Sequence, residues 1–340
     1  MMEDVLFSIV VPVYNVESYL TETVESILPQ MQQLDSSSEL LLVDDGSTDA
    51  SGSMCDAYAQ QYPQLVRVFH KENEGLLLTR RFGFRQARGR YIINCDSDDT
   101  LESHMLQKLA QTIAETDADV ILFNVNSWSP PEKTPFSKDM FTTEIPGREM
   151  VFRAFFHHAG AASMCGKCFK RSCLDIDKDY SKYYRKSFGE DTVQSAEIYT
   201  NAKRFNYINE ALYNYRSGSG MTGKVKLDYF QEFTRINGEL EAYKGQWDLK
   251  NFDELVAYKV FVNAARAITQ TRFDRTMSAK QRKAHMMTIR EHPMFCKYAP
   301  NYGAVRPQLK GSYQMLLDNL LKNRYGFIEL TLRLKNLLSK

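Results

Sequence analysis

Asp96-Ser97-Asp98-Asp99 places three carboxylates within four residues, directly behind the apolar run Tyr91-Ile-Ile-Asn-Cys95. Carboxylates this close repel one another unless a cation or hydrogen-bond donors sit among them. Hard oxygen ligands suit Mg²⁺ or Mn²⁺, and such ions commonly bridge a carboxylate to substrate phosphates. The plain alternative is a solvated acidic turn leading into a helix. A second acidic turn, Asp44-Asp45-Gly46-Ser47-Thr48-Asp49, follows the apolar run Glu39-Leu-Leu-Leu-Val43. A carboxylate there can accept from a base N–H or a ribose hydroxyl, although Asp, Gly and Ser are also ordinary turn residues. Pro12-Val13-Tyr14-Asn15 offers an aromatic ring on which a planar base could stack. Cys165-x-x-Cys168, with Cys173 nearby, is half a zinc site without its second half, and His157, His158 and the other four histidines show no ligand spacing.

These clusters need elements to hold them. Phe7-Ser-Ile-Val-Val-Pro-Val13 is a short β-branched run, as expected of a strand buried on both faces. Residues 17–33 follow at helical spacing, with a bend or stop expected near Pro29. Strands at 39–43, 65–70, 90–95 and 119–125 alternate with helices over about 50–62, 75–88 and 102–116. Such alternation predicts an α/β fold, a mainly parallel sheet with helices on both faces. Ligands of such sheets sit at the carboxyl ends of the strands, where the polar clusters fall. Ser129-Pro130-Pro131 through Pro146 reads as a surface excursion off the sheet. From Gly147 to about residue 223 the pattern is mixed, and beyond Lys224 it is almost entirely helical. The last segment is expected to begin at Ser312 as N-cap, with Tyr313, Leu316, Leu317, Leu320 and Leu321 on one face.

Composition narrows the classes. The 340 residues carry 43 Lys+Arg against 42 Asp+Glu, a net charge of +1 that argues against nucleic acid as a main partner. No stretch approaches the ~18 consecutive apolar residues of a membrane span. The acidic start Met1-Met2-Glu3-Asp4 is unlike a secretory signal, and six cysteines in a chain this long read as reduced thiols, so a cytoplasmic location is expected.

Taken in order, the segments resemble the family 2 glycosyltransferases, nucleotide-sugar-dependent enzymes of the Rossmann-like GT-A fold. Residues 7–20 look like that family's opening strand and loop, and Leu42–Asp49 like its nucleobase-contacting segment. Asn73–Arg80 resembles the stretch ending in a phosphate-side arginine, and Gly89–Asp99 the metal-binding end. The resemblance implies that Pro12 and Tyr14 border the base and that Asp45 accepts from it, with Asp44 alongside. Asp96 would contact the ribose, and Asp98 with Asp96 would hold Mn²⁺ or Mg²⁺ on the diphosphate, faced by Arg80. Phe188-Gly-Glu-Asp-Thr192 looks like the family's Glu190-Asp191 pair, whose Asp serves as base; by itself the pair could equally be an acidic helix N-terminus. Leu212–Arg216, followed by Ser219 and Thr222, is similar to a closing segment that brings Arg216 to the donor. Arg81 departs from the family's usual Asn, and Leu77-Leu78 from smaller residues.

The domains implied are a catalytic region over 1–223, with a nucleotide-binding half at 1–128 and an acceptor-side half at 147–223, then a helical region at 224–340. The implied reaction is an inverting transfer from a nucleoside-diphosphate sugar, with UDP favoured, to a hydroxyl of a glycan or lipid-linked acceptor, as in cell-surface polysaccharide synthesis. Two alternatives stand beside it. A sugar-phosphate nucleotidyltransferase would want a Gly-rich or basic loop after the first strand, where Tyr14-Asn-Val-Glu-Ser18 has neither. A non-catalytic module that binds a nucleotide sugar or a partner protein is disfavoured, because every carboxylate the mechanism needs is present. Residues 301–340 hold seven Lys/Arg and two acids. Helices over 312–340 could therefore lie on the inner face of the cell membrane, or pack on the catalytic domain or on a second subunit of a homo-oligomer.

Overall fold

The computed structural model describes residues 5–34, 37–129, 132–137, 139–186, 188–218, 227–274 and 276–338. Ser219, Thr222, the 223/224 boundary and Pro130-Pro131 lie outside the described residues. The chain forms two compact units, Met1–Gly220 and Met221–Lys340.

In the first unit, strands β1 (Phe7–Val13), β2 (Ser38–Asp44), β3 (Val66–His70), β4 (Tyr91–Asn94), β5 (Thr100–Leu101), β6 (Val120–Ser129), β7 (Glu132–Ser137), β8 (Lys167–Lys170) and β9 (Phe205–Arg216) form one sheet. Its order is β3-β2-β1-β4-β8-β6-β9-β5, with β7 on β6. Every residue of β1 and β2 is buried, which is why their sequences run almost unbroken in apolar residues. Strands β3, β2, β1 and β4 are mutually parallel, so their carboxyl ends share one rim. Antiparallel β8 sits between β4 and β6, and β9 runs parallel to β6.

Helices α1 (Leu20–Gln33), α2 (Ser51–Gln61), α3 (Leu76–Gln86), α4 (Met105–Thr116), α5 (Arg148–His157), α6 (Ala159–Ala162) and α7 (Glu190–Asn201) complete the unit. Helix α4 turns Met105, Leu106, Leu109 and Ile113 onto the core formed by Ile9, Val11, Leu40, Leu42, Ile93 and Ile121. Each such side chain contributes roughly 1.5–3 kcal/mol on full burial. Helix α3 lies directly on β1, because a Cβ at Gly83 would come 2.4 Å from Val10 Cγ1.

Three expectations need correction. Residues 132–137 are no excursion, since they pair antiparallel with β6; Pro135 is tolerated because β7 is bonded only to that strand. Helix α1 runs through Pro29 to Gln33, with the Gln30 side chain donating to the Ser26 carbonyl at 2.6 Å inside the same stretch. The segment expected from a Ser312 cap instead begins at Gly311, with Lys310 at the N-cap position and no side-chain cap.

The second unit is helical: α8 (Tyr229–Leu240), α9 (Lys244–Trp247), α10 (Phe252–Gln270), α11 (Ala279–Glu291), α12 (Pro293–Tyr298), α13 (Tyr302–Val305), α14 (Gly311–Leu321) and α15 (Tyr325–Leu338). Helix α10 is its hub, with Val256, Ala257, Val260, Phe261, Ala264, Ala265 and Ile268 fully buried. Helix α11 opens on a capping box between Ser278 and Gln281. Among the described residues, no helix is long and apolar enough to cross a membrane.

Candidate active site

The rim shared by β1, β2 and β4 gathers most of the expected residues. At the end of β2 the adjacent acids have different partners. Asp44 accepts from the Ser47 N–H at 2.9 Å and pairs with His70 Nδ1 at 2.9 Å, so it braces the turn. Asp45 accepts from the backbone N–H groups of Glu74 and Gly75 and from Lys71 Nζ at 2.8–3.0 Å. Gly75 reaches this contact at φ +93°, in the left-handed region that favours glycine, with its Cβ position 3.0 Å from the Arg185 backbone. A carboxylate has about four acceptor positions, so Asp45 retains one. Pro12 is buried in β1, whereas the Tyr14 ring is half exposed beside this turn.

The β4 rim is more crowded. Asp99 is buried and accepts from the Tyr213 hydroxyl at 2.6 Å and the Arg216 N–H at 2.7 Å. The same Tyr213 oxygen accepts from the Asp96 N–H at 3.0 Å. Thr23 Oγ1 reaches the carbonyls of Ser97 and Asp99. Arg216 Nε donates to the Asp98 carbonyl at 2.8 Å, another of its nitrogens meets Glu22, and its guanidinium lies 4.1 Å from the Trp128 ring centroid. Arg216 therefore braces the Asp98-Asp99 turn.

Arg80 ties α3 to the start of α7. Its Nη2 donates to both oxygens of Asp96, at 2.7 and 2.9 Å, and its Nη1 to Asp191 Oδ1 at 2.5 Å. The guanidinium is 1% exposed, while Asp191 keeps 32% of its side chain open. Gly189, at φ +73°, starts α7 and turns Glu190-Asp191 toward this point. Arg81, the residue that departs from the family pattern, faces elsewhere: it bonds Glu197 and the Asp175 carbonyl and lies under the Tyr180 ring.

Charge follows from this packing. Burial opposes ionisation of Asp96, but Arg80 outweighs it and holds the carboxyl below its ordinary range. Burial, Asp96 and Asp98 push Asp99 well up. Burial and then the adjacent Asp191 push Glu190 up to about 7. Lys167, buried in β8 and donating to Ser195 Oγ at 2.6 Å, is pushed down to about 7 by burial.

Among the described residues, one trio of ligand-type atoms lies within 4.8 Å, on Asp96, Asp99 and Cys165. It does not suit a cation, because Asp99 spends its oxygens on Tyr213 and Arg216 and burial keeps Cys165 a thiol that donates to Asp96. Asp96 also has its oxygens engaged, by Arg80, Asn94 and the Cys165 thiol, so the partly exposed Asp98 is the leading hard oxygen donor at this rim, with Asp96 beside it. That set fits Mg²⁺ or Mn²⁺, which bind through one or two carboxylates and keep water and phosphate oxygens for the rest. Cys165-x-x-Cys168 is not completed as a zinc site: among the described residues no group of three ligand-type atoms includes Cys168 or Cys173, and the Cys165 thiol faces Asp96.

Tyr213 and Thr23 were not among the expected site residues. An aromatic two positions after Ala211 in a β-strand carries no sequence signal for bonding Asp99, 114 residues away.

Residues 8–176 match the model of glycosyl transferase family 2. Glycosyltransferase GlyG of Streptococcus pneumoniae is 34% identical over 66% of this chain and 74% of its own length. The Staphylococcus aureus poly(ribitol-phosphate) beta-N-acetylglucosaminyltransferase TarS is 27% identical over 71% of this chain and 42% of its own. The crystal structure of TarS 1–349 superposes with a TM-score of 0.66 over 97% of this chain and 92% of that one, at 21% identity. A mannosyltransferase from Pyrobaculum calidifontis, solved with GDP-Man and Mn²⁺, gives 0.52 over the whole chain and 89% of its own, at 14% identity. Sequence and fold agree: this chain belongs to glycosyltransferase family 2.

Proposed function

We propose that the protein moves a sugar from a UDP-sugar to a hydroxyl of a glycan or lipid-linked saccharide at the cytoplasmic side, with inversion at the anomeric carbon. The observation that supports it most is the Arg80 bridge, which puts a base-type carboxylate and a ribose- and metal-side carboxylate on one guanidinium. A TarS crystal structure in complex with UDP-GlcNAc supports the choice of donor.

In this reading Tyr14 stacks on the base and the remaining acceptor position of Asp45 takes its N–H. A divalent cation held by Asp98 and Asp96 would neutralise charge on the departing diphosphate. Asp191 receives the acceptor proton on Oδ2, since Oδ1 is held by Arg80. A hydroxyl is a poor nucleophile near neutral pH, and such base assistance is worth ~10²–10⁴-fold. Arg80 sets the separation of the two carboxylates while its charge offsets theirs. The intact carboxylate set favours catalysis over a binding module, and family membership sets the nucleotidyltransferase aside.

Asp191→Asn tests the base. Product formation from a UDP-sugar and a glycan acceptor should fall by ~10²–10⁴-fold while UDP binding by calorimetry stays within about threefold. Transfer at the parent rate would remove Asp191 from the role.

A further inference from the structure

The near-neutral total charge is a cancellation. Met1–Gly220 carries 22 Lys/Arg against 31 Asp/Glu, net −9, and Met221–Lys340 carries 21 against 11, net +10. The acidic unit holds the proposed site, whose metal and nucleotide chemistry makes no use of the basic excess in the other.

Within the basic unit, α15 has two unlike faces. Ile328 and Leu332 are 2% and 4% exposed and face inward, where α15 packs on α11 and α14. Phe327, Leu330 and Leu334, spaced i, i+3, i+7, form an outward stripe at 50%, 55% and 51% exposure. Beside them the charge is positive: Lys322 and Arg324 are exposed just before the helix, on a unit of net +10. Glu329, the acid of α15, is already neutralised by Arg282 at 2.7 Å and Arg333 at 2.8 Å. A soluble surface seldom leaves an aligned apolar stripe open without a partner.

We infer that α15 docks the protein on an anionic lipid bilayer, lying in the plane of the interface. Phe327, Leu330 and Leu334 enter the acyl boundary while Lys322 and Arg324 meet the headgroups. Fourteen residues give a contact roughly 21 Å long. The exposed Lys322 and Arg324 and the net charge of +10 on this unit select an anionic occupant over a second copy, because joining two such units would bring like charges together.

The test is flotation of the full chain with vesicles of phosphatidylcholine alone, or with about 30% phosphatidylglycerol. The chain should float with the anionic vesicles, much less with the neutral ones, and less as salt rises. The variant F327E/L330E/L334E should lose at least about tenfold in binding. The charge reversal K322E/R324E should do the same while leaving the apolar stripe whole. Both should retain the parent unfolding midpoint and UDP binding, which separates failure of docking from failure of the sugar-transfer reading. Equal flotation on both vesicles, or parent-like binding by both variants, overturns the proposal. So does a dimer in light scattering that F327E/L330E/L334E dissociates, which would make the stripe a self-association face.

Discussion

The acidic turns after β2 and β4 look alike in sequence and are used differently. Each follows a buried parallel strand, and each spends one aspartate on anchoring its turn: Asp44 on Ser47 and on His70 of β3, Asp99 on Tyr213 and Arg216 of β9. The second acids diverge. Asp45 is bound by neighbouring backbone N–H groups and Lys71, all within 30 residues, whereas Asp96 is bound by Arg80, which also holds Asp191 from 111 residues along the chain. The β2 turn is a locally completed cradle with one acceptor position to spare. The β4 turn is a junction that ties α3 to the start of α7 within the first unit, and the loss of one member should be felt by the others.

Breaking the junction gives the largest expected effect. Arg80→Met leaves two carboxylates facing a buried apolar side chain, and should cost about 3 kcal/mol in urea unfolding as well as collapsing transfer. If the midpoint stayed at the parent value, the bridge would not tie the two helices together. Next, Asp98→Ala should weaken Mn²⁺-dependent UDP binding by at least about tenfold, while Asp44→Asn should change it by less than about threefold. Equal losses in calorimetry would erase the distinction between the turns.

Glu190 sharpens the picture through pH. A carboxyl whose native pKa is raised to about 7 from 4.5 binds more protons folded than unfolded, so it costs stability progressively between those values and by a constant amount above them. Glu190→Gln should therefore raise the unfolding midpoint at pH 8 by at least about 2 °C and leave it unchanged near pH 4. A gain at both pH values would point to packing, not charge. The smallest effect belongs to the β2 turn. His70 has its pKa raised by hydrogen bonds to Asp44 and then Asp56, so its contribution is full below the unfolded value of 6.5 and disappears as pH rises through the native one. Half exposed, it should be worth under about 1 kcal/mol. His70→Ala should consequently destabilise at pH 5.5 and have no effect at pH 9 by the same unfolding assay.

Much of the frame was legible in the sequence because burial on both faces writes itself into composition. Strands β1, β2 and β4 show as continuous apolar runs, and acids following such runs mark the rim where ligands collect. The pairing of β7 was not legible: Pro135 reads as a breaker, and only the single-partner position beside β6 makes it tolerable. Nor was the insertion of β8 between β4 and β6, since a four-residue strand carries no record of its partners or direction. The contacts of Arg216 were not legible either: its guanidinium lies against Trp128 and holds the Asp98-Asp99 turn, from 118 residues along the chain.

The sequence by itself determined where carboxylates would stand, that they would crown a mainly parallel sheet, and that the chain would end in a helical region with a basic tail. The period and polarity of side chains carry that information locally. Tertiary structure decided which carboxylates are already satisfied. A hydrogen bond depends on atoms meeting within about 3 Å, and Arg80 meets Asp191, and Tyr213 meets Asp99, only after the sheet has brought residues more than a hundred positions apart to one rim.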